Sequence, residues 1–275
     1  MEFRHASRRS LPRKVVIGRM LRRGLDALVA GSLAMIASGC ATMEQPATKL
    51  QAVKSVGIIS AIGDDFTMTR TGLTAASDAD RHASIEVWGI DDMVTARIGA
   101  QLGQRFQVQA VTYRRAAFAA GDQASPFTVS RLTSGRDSRI VDLVRGQVSP
   151  QGLDAYVVVT KATSAYGSRG RSVGGIGILT HVAMFGSSAQ LHALYTVTVI
   201  DGHTLKVIDK NTALPVGSSE LFRLAGPSRA VADDLLLAAQ NPSGSDQLKA
   251  AAIDLIDRTL GKTLQDLRLV DRSAS

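Results

Sequence analysis

Apolar residues recur along this chain at two spacings, and the changes from one to the other mark out its elements. Val56, Ile58 and Ile59 form a short apolar run that ends at Gly63-Asp64-Asp65, which predicts a buried strand over residues 53–60. Residues 66–73 and 83–87 then read as a β-ribbon joined by the polar stretch 77–82. From Ile90 the rhythm changes. Ile90, Val94, Ile98, Leu102 and Phe106 follow one another at four-residue steps behind Asp91-Asp92, where either acid can cap a helix. That spacing stacks the five side chains on one face, so the segment is a helix with a single buried stripe.

A strand over 107–113 follows, then a loop-rich section to Gly135 and a helix over 137–145 with Ile140, Val141 and Val144 on one side. Tyr156-Val157-Val158-Val159, within a strand over 153–163, shows no polar alternation. A strand apolar on both faces belongs in the middle of its sheet. Residues 167–177 are a glycine-rich connection, and strands over 189–200 and 205–213 are joined by the turn pair Asp201-Gly202. Helices over 228–240 and 246–260, separated by Asn241-Pro242-Ser243-Gly244, complete the chain. This order predicts an α/β protein of the α+β kind: a single mixed β-sheet covered by helices, with a C-terminal β-hairpin and helices. The expected core includes Val56, Ile58, Ile98, Leu102, Phe106, Val157, Val159, Val197 and Val199.

Residues 41–52 lack either rhythm, contain Pro46, and suit a tether. Upstream, Arg8, Arg9, Arg13, Lys14, Arg19, Arg22 and Arg23 precede an apolar stretch from Ala27 to Ile36. These ten residues fall short of the ~20 needed to span a bilayer, so the segment reads as a removable export signal. It ends in Leu33-Ala34-Met35-Ile36-Ala37-Ser38-Gly39-Cys40, which holds the only cysteine of the chain. The run resembles the lipobox of bacterial lipoproteins, with Ala37 where a leucine is usual. That resemblance implies cleavage between Gly39 and Cys40 and acyl chains on Cys40, which becomes the mature N-terminus. An ordinary secretory signal cut near Ala41, with Cys40 incidental, also fits these residues. Translation starts at Met1 or at Met20, which opens a compact leader of its own. The expected organisation is a signal peptide, 1–39, a lipidated tether, 40–52, and a single globular periplasmic domain, 53–270.

Removing the leader changes the meaning of the charge. The chain has 32 basic and 24 acidic residues, of which residues 1–39 hold eight and two, leaving a net charge of +2. The pI of about 10.0 is thus largely a property of the leader. A nucleic-acid partner is not expected, because such a partner calls for a basic surplus kept on the folded domain. With Cys40 acylated, the folded part has no thiol for a disulfide, a thiolate metal site or a nucleophile.

Candidate chemistry elsewhere is sparse. Leu260-Gly261-Lys262-Thr263 looks like the end of a phosphate-binding loop, but Ile256 stands where the leading glycine belongs, so Gly261 reads as a helix stop. Gly174-Gly175-Ile176-Gly177 fails the dinucleotide fingerprint, with Thr180 in the third glycine position, and reads as a flexible hairpin or loop. His82, His181, His192 and His203 have no zinc-helix spacing; His192 and His203 could approach across the hairpin, but read as a partly exposed strand residue and a turn residue. Asp91-Asp92 and Asp233-Asp234 suit caps or solvent-facing groups, because adjacent acids on a helix diverge by about 100°. Asp64-Asp65 alone stands at the mouth of a buried strand, where a ligand site could form. No catalytic residue, cofactor or metal is expected.

The element order also resembles that of periplasmic lipoproteins related to the curli secretion component and to activators of penicillin-binding proteins. The points of likeness are the strand 54–60, the helix 91–106, Gly152-Leu153-Asp154-Ala155-Tyr156 leading a central strand, and the hairpin at Asp201-Gly202. It implies architecture, not a task. The expectation is an outer-membrane lipoprotein on the periplasmic face, attached to the membrane through acyl chains on Cys40, with a non-enzymatic periplasmic binding or structural domain that serves envelope assembly or maintenance and an envelope protein as partner. A lipidated or secreted hydrolase without a recognisable motif, and an oligomeric secretion component, are the alternatives.

Overall fold

The computed structural model describes residues 46–72, 74–119, 132–167, 170–184, 186–216 and 224–271. The leader, Gly39 and Cys40 lie outside these residues. The protein is α+β with strands of mixed orientation, as its sequence predicts, but the strands are divided among two five-stranded sheets and a two-stranded ribbon rather than gathered in one.

The first sheet is built around β1 (Ser55–Ala61) and β5 (Ala155–Lys161), which run parallel with Val56 beside Ala155 and Ser60 beside Val159. β4 (Gln107–Gln109) is parallel to β1 on its other side, pairing over only Ser55, Val56 and Gly57. β10 (Tyr195–Asp201) pairs antiparallel with β5, and β11 (Val207–Thr212) closes the predicted hairpin. Alternation decides which way each strand faces. Val56, Ile58, Val157, Val159, Val197 and Val199 enter one cluster with Ile98 and Leu102 of α2 (Ile90–Leu102). Ile59, Tyr156 and Val158 enter a second cluster with Phe118 of α3 (Arg115–Ala119) and Ile140, Val141 and Val144 of α4 (Leu132–Gln147).

The second sheet has the order β12-β9-β8-β2-β3, formed by β2 (Asp65–Thr71), β3 (Ala79–Ser84), β8 (Ile176–Ala183), β9 (Gly186–Ala193) and β12 (Ser228–Ala230). Its Phe66, Ile176, Ile178, Leu191 and Ala193 join the first cluster, together with Leu248, Leu255, Ile256, Leu260 and Leu264 of α6 (Asp246–Asp266). One core therefore serves both sheets. The predicted ribbon exists as β2–β3, with Thr67 opposite His82, but its second strand is Ala79–Ser84, within the stretch expected to be the connection, and Glu86–Trp88 is a short 3-10 helix; Ile85 and Trp88 are buried, and Trp88 meets Phe66 edge-on at 5.8 Å.

Several expectations need correction. The helix expected to carry Phe106 ends at Leu102, the strand expected over 107–113 is only Gln107–Gln109, and the section expected to be loop up to Gly135 holds α3 and the start of α4. The apolar stretch 189–200 is two strands in different sheets, divided at Leu194, whose N–H donates to Gly175 O. Residues 228–240 are not one helix: Ser228–Ala230 adds to the free edge of β9, and only α5 (Asp233–Ala238) is helical. The glycine-rich connection is ordered structure, with Arg171–Gly174 forming β7 against β6 (Thr163–Tyr166) and Gly175 turning into β8 in the left-handed region at φ 60. The end of the tether is the helix α1 (Pro46–Ala52), and Leu50 is buried in the main core. Finally, α6 runs straight through Gly261, Lys262 and Thr263, because Leu264 and Leu267 extend its buried stripe.

Gly261 is therefore a glycine inside a helix, and a Cβ there would meet nothing nearer than Gln101 Oε1 at 3.8 Å. Gly261→Ala should stabilise the protein by about 0.5 to 1 kcal/mol through reduced chain entropy. Urea unfolding of the two proteins side by side checks this, and a lower midpoint for the alanine form would contradict the helix assignment.

Candidate functional site

β1 is the strand from which the site is built. Six of its seven residues are buried, so its backbone must find partners as it leaves the sheet. At its start, Asp154 Oδ2 accepts from Lys54 N at 2.9 Å, Ser55 N at 2.8 Å and Ser55 Oγ at 3.0 Å. The Ser55 and Lys54 N–H groups hold the Asp154 carboxyl well below the usual carboxylate range. At its end, the buried Asp91 takes the corresponding part: Oδ1 accepts from Ser60 Oγ at 2.7 Å and Ile62 N at 2.8 Å, and Oδ2 from Gly63 N at 3.3 Å. Asp91 is neither a helix cap nor solvent-facing, contrary to expectation; the residue capping α2 is Gly89, which offers no side chain.

Gly63 is required for this contact. A Cβ on it would stand 2.8 Å from Ile90 Cβ, so a larger residue would push the turn away from α2. Asp64 then ion-pairs with Lys161 at the end of β5, at 2.5 Å. β4 and β5 flank β1 on opposite sides, with α2 on one face of the sheet and α3 and α4 on the other. In open α/β sheets a strand order that reverses in this way opens a crevice beyond the carboxyl ends of the strands.

A cleft of about 890 Å³ lies there. Gly63, Asp64, Lys161 and the first turn of α2 form its base, Arg115, Ala116 and Ala119 of α3 one side, and Thr163 and Ser172–Gly175 of the β6–β7 ribbon another. The remaining wall is one face of the second sheet, where Asp65, Thr67 and Thr69 alternate along β2 beside Asp80 and His82 of β3. Asp64-Asp65, the pair singled out from the sequence, thus lies in the cleft. Thr69 and Asp80 do not stand out in the sequence, and His82 is weighed there only for metal spacing, because only the β2–β3 register brings them beside it.

Several polar groups of the cleft are paired. Asp65 Oδ2 lies 2.8 Å from His82 Nδ1, and Thr67 Oγ1 lies 3.4 Å from the same nitrogen. A hydroxyl–imidazole–carboxylate relay needs the acid and the hydroxyl on opposite ring nitrogens. Here both address Nδ1. Arg115 pairs with Asp92, and outside the lining Arg171 ties Asp78 and Asp80, both at 2.8 Å. Among the described residues no three His, Cys, Asp or Glu side chains converge to hold a metal ion, and no helix is long and apolar enough to cross a membrane.

The structure does not bring His192 and His203 together. His203 sits in the β10–β11 turn with Nε2 3.1 Å from Asp154 Oδ1. His192 is fully buried on β9, not partly exposed; its Nδ1 lies 3.0 Å from Gly175 O, and Nε2 has no hydrogen-bond partner among the described residues. Its ring covers Gly177, where a Cβ would stand 3.1 Å from His192 Cε1 and 2.1 Å from Thr67 O.

No protein-family model and no curated protein sequence matches the chain. Among solved structures, a Xanthomonas campestris protein of the family DUF330 overlaps 78% of this chain and 88% of its own, at 12% identity and a TM-score of 0.29. The lipoprotein GNA1162 of Neisseria meningitidis overlaps 76% of this chain and 99% of its own, at 8% identity and a TM-score of 0.24. Overlaps this slight carry neither a fold nor a role from those proteins to this one.

Two measurements test the geometry. Asp91→Ala leaves the Ser60 hydroxyl and the N–H groups of Ile62 and Gly63 without their acceptor, and should cost about 3 kcal/mol or more in urea unfolding, whereas Asp91→Asn, which keeps one acceptor, should cost less. The second concerns His192, whose pKa burial pushes down from 6.5 to about 4. Between those values the unfolded chain takes a proton that the folded one refuses, so stability falls as pH falls, by about 3 kcal/mol in all, and the loss saturates below pH ~4. His192→Gln should flatten that part of the profile; a variant with the same slope as the parent from pH 6.5 to 4 would contradict the assignment.

Proposed function

We propose that this chain is an envelope lipoprotein whose folded domain binds a ligand in the cleft beyond β1 and β5 and carries out no chemistry on it. The address comes from the leader: the export signal ends at Gly39-Cys40 with the chain's only thiol, and acyl chains on Cys40 would hold the protein at the periplasmic face of the outer membrane. Ala41 favours that destination, since lipoproteins kept at the inner membrane often have Asp in this place. Two chains suffice for stable attachment, because each buried methylene contributes about 0.8 kcal/mol and a single chain is marginal.

The observation that carries the binding reading is the placement of the cleft at the reversal of strand order, with Lys161, Asp91 and His82 already engaged. Lys161 is held by Asp64, Asp91 by two backbone N–H groups and a hydroxyl, and His82 shares a single nitrogen with Asp65 and Thr67. Groups so engaged shape and charge a pocket; a general base needs a free lone pair directed at its substrate. A partner in the envelope would reach the cleft from the periplasm while the tether holds the domain near the membrane.

Cys40→Ala should lose incorporation of a radiolabelled fatty acid and leave the membrane fraction, while the purified protein keeps its melting temperature. Equal labelling of both proteins would show that anchoring does not run through Cys40. Hydrolysis of ester or peptide substrates by purified protein, lost on substitution in the cleft, would favour the hydrolase alternative instead.

A further inference from the structure

The cleft has a sign. Its lining includes five acids, Asp64, Asp65, Asp80, Glu86 and Asp91, against two cations, Lys161 and Arg115. Both cations are already engaged, Lys161 by Asp64 inside the cleft and Arg115 by Asp92 beside it. Asp80 is faced by Arg171 and Asp91 by its backbone and hydroxyl donors. That leaves Asp65, with only His82 beside it, and Glu86, whose carboxylate meets no cation among the described residues.

Thr69 gives an independent sign of a ligand. It is only 3% exposed and lines the cleft, yet its hydroxyl has no hydrogen-bond partner among the described residues. What little surface it keeps opens onto the cleft, so the hydroxyl is free to bond to whatever enters there. Thr67, Thr163 and Ser172 place further hydroxyls around the same space. An anion entering here would meet uncompensated carboxylates and no free cation. An apolar ligand would strip water from those carboxylates without replacing it. A donor-rich cation satisfies both the acids and the hydroxyl.

Resting on the reading of the cleft as a binding site, we propose that its ligand is a cation bearing ammonium or guanidinium groups, held by Asp65 and Glu86, with Thr69 accepting an N–H. At about 890 Å³ the cleft lies within the range of ~300 to 1,000 Å³ usual for ligand pockets, enough for a polyamine or a few basic residues of a peptide.

Titration calorimetry on the full-length protein in detergent tests this, with spermidine, trilysine and triglutamate as probes. At least one cation should bind, several-fold more weakly when salt is raised to about 0.5 M. Asp65→Asn combined with Glu86→Gln should lose at least tenfold in affinity, and Thr69→Val a few-fold, at an unchanged melting temperature. Should the double variant not fold, Glu86→Gln alone, an exposed position, carries the test. Binding of spermidine alone identifies a small amine as the source, binding of trilysine alone a peptide segment, and both a site that reads charge. The proposal is overturned if neither cation binds at millimolar concentration or if the variants bind like the parent. Triglutamate binding that Lys161→Met abolishes would overturn the cationic class while leaving the cleft a binding site. Fatty-acid labelling reads the anchor separately from all of these.

Discussion

The fold hangs on β1, a strand buried on both faces, whose backbone must be satisfied by neighbouring strands and at its ends. Carboxylates clamp both ends, Asp154 where the chain enters and Asp91 where it leaves. Between them the side toward β4 presents a difficulty, because β4 stops pairing at Gly57 and leaves later backbone groups without a strand. Tyr113 resolves it at Ser60: its hydroxyl donates to Ser60 O at 2.9 Å and accepts from Ser60 N at 3.0 Å. A single phenol thus does what a longer strand would do, in a setting where unmet backbone groups are costly. Asp154 extends the arrangement to the hairpin, since its carbonyl accepts from Gly202 N and its carboxylate meets His203. Gly202 has no room for a side chain there, with Leu153 O only 1.7 Å from where a Cβ would be.

The sequence made the interior easy to read and the partition of the strands hard. All nine residues of the predicted core are buried, and the stripe from Ile90 to Leu102 lies on one face of α2 as its spacing requires. Position 194 shows why sheet membership was hidden. Leu191, Ala193, Tyr195, Val197 and Val199 keep an unbroken two-residue alternation and all enter the same core, although the first two belong to one sheet and the rest to the other. Periodicity records which side of a strand faces the core; it holds no record of the neighbours to which the strand bonds. Ser228–Ala230 was misread for a related reason. The free edge of β9 imposes an extended conformation that local propensity cannot foresee.

The candidate site was legible only at one corner. Asp64 and Asp65 could be found because they follow a buried strand, and strand ends are where ligands gather. Their counterparts are far away in sequence: Lys161 closes β5, and His82 and Asp80 stand on a strand whose residues are almost all exposed. The spacing of residues 65, 67 and 69 predicts one face of a strand, and no more. That this face lines a cavity follows from the β6–β7 ribbon opposite it, which the glycine-rich sequence disguised as a loop.

That ribbon is also where the cleft is least firmly built. The main core contains Trp88, Phe66 and the stripes of α2 and α6, whereas the ribbon rests on a small cluster of Ala162, Tyr166, Val173, Leu179, Leu194 and Leu224. Arg171 ties it to Asp78, whose side chain is nearly buried, and to Asp80, whose pair is exposed enough to weaken in salt. Fewer buried contacts mean a lower local free energy of opening. The base of the cleft, by contrast, is fixed by Asp91 and β1. A ligand that binds against the ribbon would add contacts where the fold has fewest, so its binding would stabilise the wall of the cleft more than the base, and a rigid platform with one compliant side can accept ligands of somewhat different length without disturbing the core beneath.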